Sequence, residues 1–241
     1  MICIDNITFG YNKYRSVLKD FSMEFRKCGV YGLLGKNGTG KSTLLYLMSG
    51  LLRPSSGDVR VDGALVERRL PATLQEIFIV PEEYKLPDIE LSQYVRALKP
   101  FYPRFSDKML RENLDKFELP SDIYLGGLSM GQKKKVYMCI ALAANTRHLL
   151  LDEPTNGMDI LSKSQFRKAV ISSMTDDKTV IVSTHQVHDV ERMLDYVNII
   201  DRNKLLLSMQ LSGQDEVLDL EKLFIDTLTS HDRESENVKQ G

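Results

Sequence analysis

The sequence predicts an α/β fold: a mostly parallel sheet at the core, an N-terminal antiparallel β subdomain and an inserted helical subdomain. Three observations carry this expectation. The apolar run Val30-Tyr31-Gly32-Leu33-Leu34 passes through a glycine-rich stretch into Leu44-Leu45-Tyr46-Leu47-Met48, which reads as buried strand, loop and helix. Strand-like and helix-like segments then alternate from Arg147 to Ser208, as parallel strands joined by helical crossovers do. Between these regions, from about Glu83 to Ala144, apolar spacing turns helical, with Pro87, Pro100, Pro103 and Pro120 as punctuation.

In chain order, residues 1 to 28 hold two β-like runs, Ile2 to Phe9 and Val17 to Arg26, split by a polar stretch at 11–16. Phe21, Met23 and Phe25 alternate with Ser22, Glu24 and Arg26, the pattern of a half-exposed antiparallel strand. Leu51 to Gly57 is a turn cluster, and strand-like pieces follow at Asp58 to Val61 and Glu76 to Val80. Helical spacing marks Leu91 to Leu98 and Met109 to Phe117. The unbroken run Leu149-Leu150-Leu151 is a strand buried on both faces. Helix Ile160 to Met174, strand Thr179 to Ser183, helix Val187 to Leu194 and strands Val197 to Ile200 and Lys204 to Ser208 complete the core. The expected layout is one domain over 1–230. Its core lies at about 1–82 and 145–208, its helical lobe at about 83–144 and its C-terminal helix at about 219–229. A polar tail over 231–241 is expected to fray.

Composition narrows the function. The 241 residues carry 32 Lys plus Arg against 33 Asp plus Glu, which gives no electrostatic case for wrapping nucleic acid. Cys3, Cys28 and Cys139 lack metal-ligand spacing and suit reduced thiols in a cytoplasmic protein. Met1-Ile2-Cys3-Ile4-Asp5 meets a charge at once, so no secretory leader is expected. No apolar run approaches the roughly 18 residues a membrane span needs, so work at a membrane would require another chain to cross it.

The chemistry sits at two strand exits. Gly35-Lys36-Asn37-Gly38-Thr39-Gly40-Lys41-Ser42-Thr43 fits the phosphate-loop pattern G-x-x-x-x-G-K-[ST] between a strand and a helix, so the fold is expected to be a P-loop NTPase core. Gly35, Gly38 and Gly40 let backbone N–H groups turn inward around a polyphosphate. Lys41 supplies charge for the outer phosphates, and the helix start behind it favours anions. Ser42 offers a hydroxyl for Mg²⁺. This chain is expected to bind a nucleoside triphosphate. At the second exit, Asp152 and Glu153 follow the buried leucine strand, where ligands of parallel sheets bind. Asp152 would hold Mg²⁺ directly or through water, and Glu153 would orient and deprotonate an attacking water.

Leu128-Ser129-Met130-Gly131-Gln132, shortly before those acids, resembles the signature motif of ATP-binding cassette (ABC) ATPases. Ser129 suits the cap of a helix starting near Gly131, whose positive end would face phosphate oxygens. The resemblance runs from Tyr11 to His185 and implies a head-to-tail dimer in which Ser129, Gly131 and Gln132 reach ATP held by a second ATPase subunit. Tyr11 resembles the aromatic residue that stacks on adenine, with Tyr14 a rival. Asp159, in Asn156-Gly157-Met158-Asp159, resembles a contact across the dimer and also suits a helix cap. His185, at the end of Val182-Ser183-Thr184, resembles the switch histidine at the γ-phosphate.

Two positions depart from the family pattern. Met130 stands where glycine is common, and Glu82 stands where glutamine usually ligates Mg²⁺ and links to the helical lobe. Glu82 is taken as a metal contact, with a plain loop acid as the other reading. Lys133-Lys134-Lys135 opposes the helix dipole and is expected to be solvated, attraction to a triphosphate across the dimer being a second reading. The resemblance implies the ATPase subunit of an ABC transporter, peripheral at the cytoplasmic face of the membrane and coupled to a separate transmembrane permease around Glu82 to Ser92. Leu220 to Phe224 resembles the short closing helix of export-type cassettes. A soluble ABC ATPase, for example in metal-cluster assembly, is the alternative.

Overall fold

The computed structural model describes residues 1–12, 14–211 and 219–240, with side chains up to residue 233. The elements run β1 (Ile2–Phe9), β2 (Leu18–Phe25), β3 (Gly29–Leu34), α1 (Lys41–Met48), β4 (Ser56–Val61), β5 (Ala64–Leu65), α2 (Pro71–Leu74) and β6 (Ile77–Val80). They continue with α3 (Leu91–Leu98), α4 (Asp107–Lys116), α5 (Met130–Ala143), β7 (His148–Asp152), α6 (Ile160–Ser172), β8 (Thr179–Thr184), β9 (Tyr196–Asp201), β10 (Lys204–Gln210) and α7 (Leu220–Gln240).

Two sheets form. A four-stranded antiparallel sheet has the order β2-β1-β4-β5, and a six-stranded sheet has the order β10-β9-β3-β8-β7-β6. In the larger sheet only the β9–β10 pair is antiparallel. Its central strands alternate their side chains between two apolar cores, as the pleat requires. Leu149 and Leu151 of β7 and Val180 and Val182 of β8 pack with α5, α6 and the helices over 91–116. Leu150 and Ile181 pack on the other side with α1 and the antiparallel sheet. Because β3, β8 and β7 lie side by side and parallel, their C-terminal ends open at one edge.

Two segments differ from the sequence reading. The helix expected over 187–194 is instead two 3₁₀ turns, Val187–Asp189 and Glu191–Met193. Its buried residues are Val187, Val190, Met193 and Leu194, and Val190 at φ −125° breaks the run between the two turns. The last helix does not stop near residue 229 with a frayed tail but runs to Gln240. Arg, Glu, Lys and Gln are good helix formers, and Asp232 is tied to Lys36 at 3.2 Å and to Arg202 at 2.8 Å. Only Gly241 of the expected tail lies outside the described residues.

Candidate active site

The phosphate loop is shaped by its glycines and closed by its lysine. A Cβ on Gly35 would lie 2.6 Å from the Ile200 carbonyl oxygen, so only glycine lets the loop leave β3 here. Gly40 caps α1 at φ 100°, and no side chain caps that helix, which leaves its first N–H groups to a ligand. Lys41 is buried; its Nζ donates to the carbonyls of Gly35 at 2.8 Å and Lys36 at 3.2 Å, and lies 3.5 Å from Glu153 Oε1. Burial lowers the Lys41 pKa, with Glu153 the main opposing charge. Thr39 Oγ1 donates to the Lys36 carbonyl at 2.9 Å, bracing the loop from within. Asn37 and Gly38 are exposed at its tip.

The acids arrive on the neighbouring strand. Across the β7–β8 ladder Asp152 faces Ser183, whose hydroxyl donates to Asp152 Oδ1. Asp152 Oδ2 is buried and has no hydrogen-bond partner among the described residues. Burial raises the Asp152 pKa, while the Ser183 and Ser42 hydroxyls pull it down and Glu153 and Glu82 add to the rise. A divalent cation fits that unpartnered oxygen. Among the described residues no three His, Cys, Asp or Glu side chains converge on one point, so such a cation would complete its shell from hydroxyls and phosphate oxygens, as Mg²⁺ does.

Glu153 takes φ 42°, a left-handed backbone for a non-glycine residue, held by its N–H on the Ser183 carbonyl at 3.0 Å. Its carboxylate is 2.9 Å from His185 Nδ1 and accepts from Thr184 Oγ1 at 3.0 Å. Lys41, Asp152, Glu153 and His185 therefore form one constellation. The Ser183 and Thr184 hydroxyls complete it. The sequence reading gave those two no role, although they immediately precede His185 at the same strand exit.

The remaining predicted residues fall into two groups. Tyr11 and Glu82 border the constellation. The Tyr11 hydroxyl shares a 3.2 Å hydrogen bond with Thr43 Oγ1, and its ring meets Phe9 edge-on at 5.1 Å. Tyr14, the rival, is 99% exposed. Glu82 Oε1 accepts from Asn156 Nδ2 at 3.0 Å, and the Asn156 carbonyl accepts from Lys134 Nζ at 2.6 Å. Lys134 is thus drawn into its own chain, which corrects the expectation of three solvated lysines. The sequence reading had no signal for the Lys134–Asn156 contact.

Ser129 and Asp159 face outward. Helix α5 begins at Met130, and Ser129 caps it reciprocally: its Oγ accepts from Gln132 N at 3.3 Å and its N–H donates to Gln132 Oε1 at 3.1 Å. Asp159 caps α6 through Ser162, with both carboxylate oxygens engaged at 2.8 and 2.6 Å. Among the described residues no hydrogen bond joins Ser129, Gly131, Gln132 or Asp159 to the Gly35–Thr43 loop. Beside them Met130 is 76% exposed, Ile160 88% and Leu161 60%.

Known proteins share the family and the fold of this chain. Residues 18–156 match the family model described as ABC transporter. The chain is 30% identical over 197 residues to the ABC transporter ATP-binding protein YtrB of Bacillus subtilis (strain 168), covering 81% of this chain and 67% of YtrB. It is 29% identical over 229 residues to the lantibiotic transport ATP-binding protein SrtF of Streptococcus pyogenes, covering 93% and 96%. Its fold is similar to a solved ATP-binding subunit of an ABC transporter, with TM-score 0.82, 21% identity and coverage of 95% and 99%. With the phosphate loop, the paired acids and a family match over more than half its length, this chain belongs to the ABC transporter family and is an ATP-binding, ATP-hydrolysing subunit.

Proposed function

We propose that the chain drives transport, with export favoured, by closing head-to-tail on a second ATPase subunit around ATP and so moving a separate transmembrane permease. The observation that carries this reading is the outward start of α5. A capped helix N-terminus suits phosphate oxygens, yet Ser129, Met130 and Gln132 are exposed and unattached to the chain's own phosphate loop. A facing copy would bring its own Ser129, Gly131 and Gln132 to that loop. Exposed Ile160 and Leu161 beside Asp159 give such an interface an apolar edge.

Within one site, the loop N–H groups of Gly35, Asn37, Gly38, Thr39 and Gly40 cradle the phosphates, and Lys41 neutralises the outer ones. Thr43 holds Tyr11, whose ring stacks on adenine. Ser42, Asp152 and Glu82 hold Mg²⁺, which when bound spreads the phosphate charge. Glu153 takes the proton of the attacking water, and His185 and Thr184 fix its orientation.

No described helix is long and apolar enough to cross a membrane, which motivates the separate permease and a place at the cytoplasmic face beside it. SrtF, aligned nearly end to end, is named for lantibiotic transport, which supports a drug, peptide or lipid-like cargo as the reading for this chain. The test is affinity purification of a Glu153→Gln variant with ATP from detergent-solubilised membranes. Two ATPase chains should copurify with a membrane-spanning protein. Recovery as a single nucleotide-bound chain with no membrane partner overturns the proposal.

A further inference from the structure

Three carboxylates follow the ends of neighbouring strands: Glu82 two residues beyond β6, Asp152 closing β7, and Glu153 next to it. Lys41 answers Glu153 from the phosphate loop at 3.5 Å. Lys134 lies one turn into α5. A cation so close to a helix N-terminus is opposed by the helix dipole, so its inward position needs another cause. Lys134 is half-buried, and its Nζ donates to the Asn156 carbonyl at 2.6 Å. The amide of the same asparagine donates to Glu82 Oε1 at 3.0 Å. Lys134 therefore holds the backbone of Asn156 while the side-chain amide of that residue reaches Glu82. A cleft of about 660 Å³ runs alongside, walled by Glu82, Met130, Lys133, Lys134 and Asn156. Burial lowers the Lys134 pKa, and Glu82 leads the charges that oppose the drop, followed by Glu153 and Asp152.

We propose that Lys134 is a positioning residue for hydrolysis: acting through Asn156, it fixes the Glu82 carboxylate at the metal end of the site and ties the entry of α5, with Ser129, to the strand ends of the same chain. This rests on the metal role proposed for Glu82. The bridge links three chain segments, so a shift of α5 that lengthens the Lys134–Asn156 contact loosens the backbone from which the Asn156 amide reaches Glu82. Lys134 touches neither nucleotide nor water in this role.

The test compares full-length Lys134→Gln, Lys134→Arg, Glu82→Ala and the K134Q/E82A double variant; alanine removes both the metal contact and the acceptor for Asn156. Four quantities are read: the Mg²⁺ concentration giving half-maximal ATPase rate, kcat, calorimetric ATP binding without Mg²⁺, and the thermal midpoint. K134Q should raise the half-maximal Mg²⁺ about 5–10-fold, with metal-free ATP binding and thermal midpoint unchanged, and K134R should recover most of it; in the Glu82→Ala background the same change should move it less than about twofold. Equal effects of K134Q in both backgrounds overturn the proposal, as does a matching loss of metal-free binding and thermal midpoint. If Glu82→Ala alone leaves the Mg²⁺ dependence untouched, the metal role of Glu82 fails instead. In that case equal effects of K134Q on kcat in both backgrounds overturn the positioning role, and a smaller effect in the Glu82→Ala background upholds it.

Discussion

Replacing Glu153 with glutamine separates binding from chemistry. The carboxylate is 5% exposed and sits 2.9 Å from His185 Nδ1, 3.0 Å from Thr184 Oγ1 and 3.5 Å from Lys41 Nζ. Glutamine keeps the size of the side chain and an oxygen for Thr184. It cannot take a proton from water. Loss of a positioned general base costs about 10²–10⁴-fold in rate, or roughly 3–5 kcal/mol of barrier. Folding should suffer less. Lys41 keeps its two carbonyl acceptors at 2.8 and 3.2 Å, so the lost charge pairing is expected to cost about 1–2 kcal/mol. Phosphate release at saturating ATP, equilibrium ATP binding and urea unfolding read the three quantities. A folded variant that binds ATP as the parent does and keeps more than about a tenth of kcat refutes Glu153 as the base.

Tyr11→Ala should weaken ATP binding by about 1–3 kcal/mol, the worth of an aromatic face under a base, while Tyr14→Ala should leave affinity unchanged in the same titration. Phe166→Ala empties a fully buried position on α6 and should cost about 3–5 kcal/mol in a urea melt. The buried His148 lies 3.0 Å from Asp62 and has its pKa lowered from 6.5, chiefly by burial. A histidine kept neutral by folding contributes stability above its unfolded pKa and loses it as pH falls. At Asp62 burial pushes upward, but bonds from the Met1 ammonium and His148 outweigh it, and that contribution fades only below 3.8. The urea midpoint should therefore fall from pH 7 to pH 5, and His148→Gln should flatten that slope; an unchanged slope rules out His148 as its source.

Much of this was legible in the chain itself. The phosphate loop and the Asp152–Glu153 exit could be read because each joins a periodicity to a residue pattern that chemistry constrains. Sequence alone could not show that Tyr11 is tied to Thr43 while Tyr14 stands exposed. Ser183 and Thr184 escaped notice because hydroxyls at a strand end are common, and only the register with β7 shows what they touch. Lys134 was misread because a lysine triplet looks solvated until a partner 22 positions away, Asn156, is brought beneath it. At 187–194 the apolar positions 187, 190, 193 and 194 fit an α-helix, and only the backbone at Val190 separates the two short turns. The reach of α7 depended on Lys36 and Arg202, both remote in sequence.

The adjacency of β3, β8 and β7 works as a gauge. Leu34 stands opposite Thr184, and Asp152 opposite Ser183, so loop, hydroxyls and acids are spaced by backbone ladders about 4.8 Å apart. Adding one residue inside β7 or β8 would displace everything downstream by about 3.3 Å and turn it to the opposite face. An added residue in the Arg202–Asn203 hairpin would disturb none of those distances. Tolerance to insertion should therefore be sharply uneven along the chain, lowest in the eleven buried residues of β7 and β8.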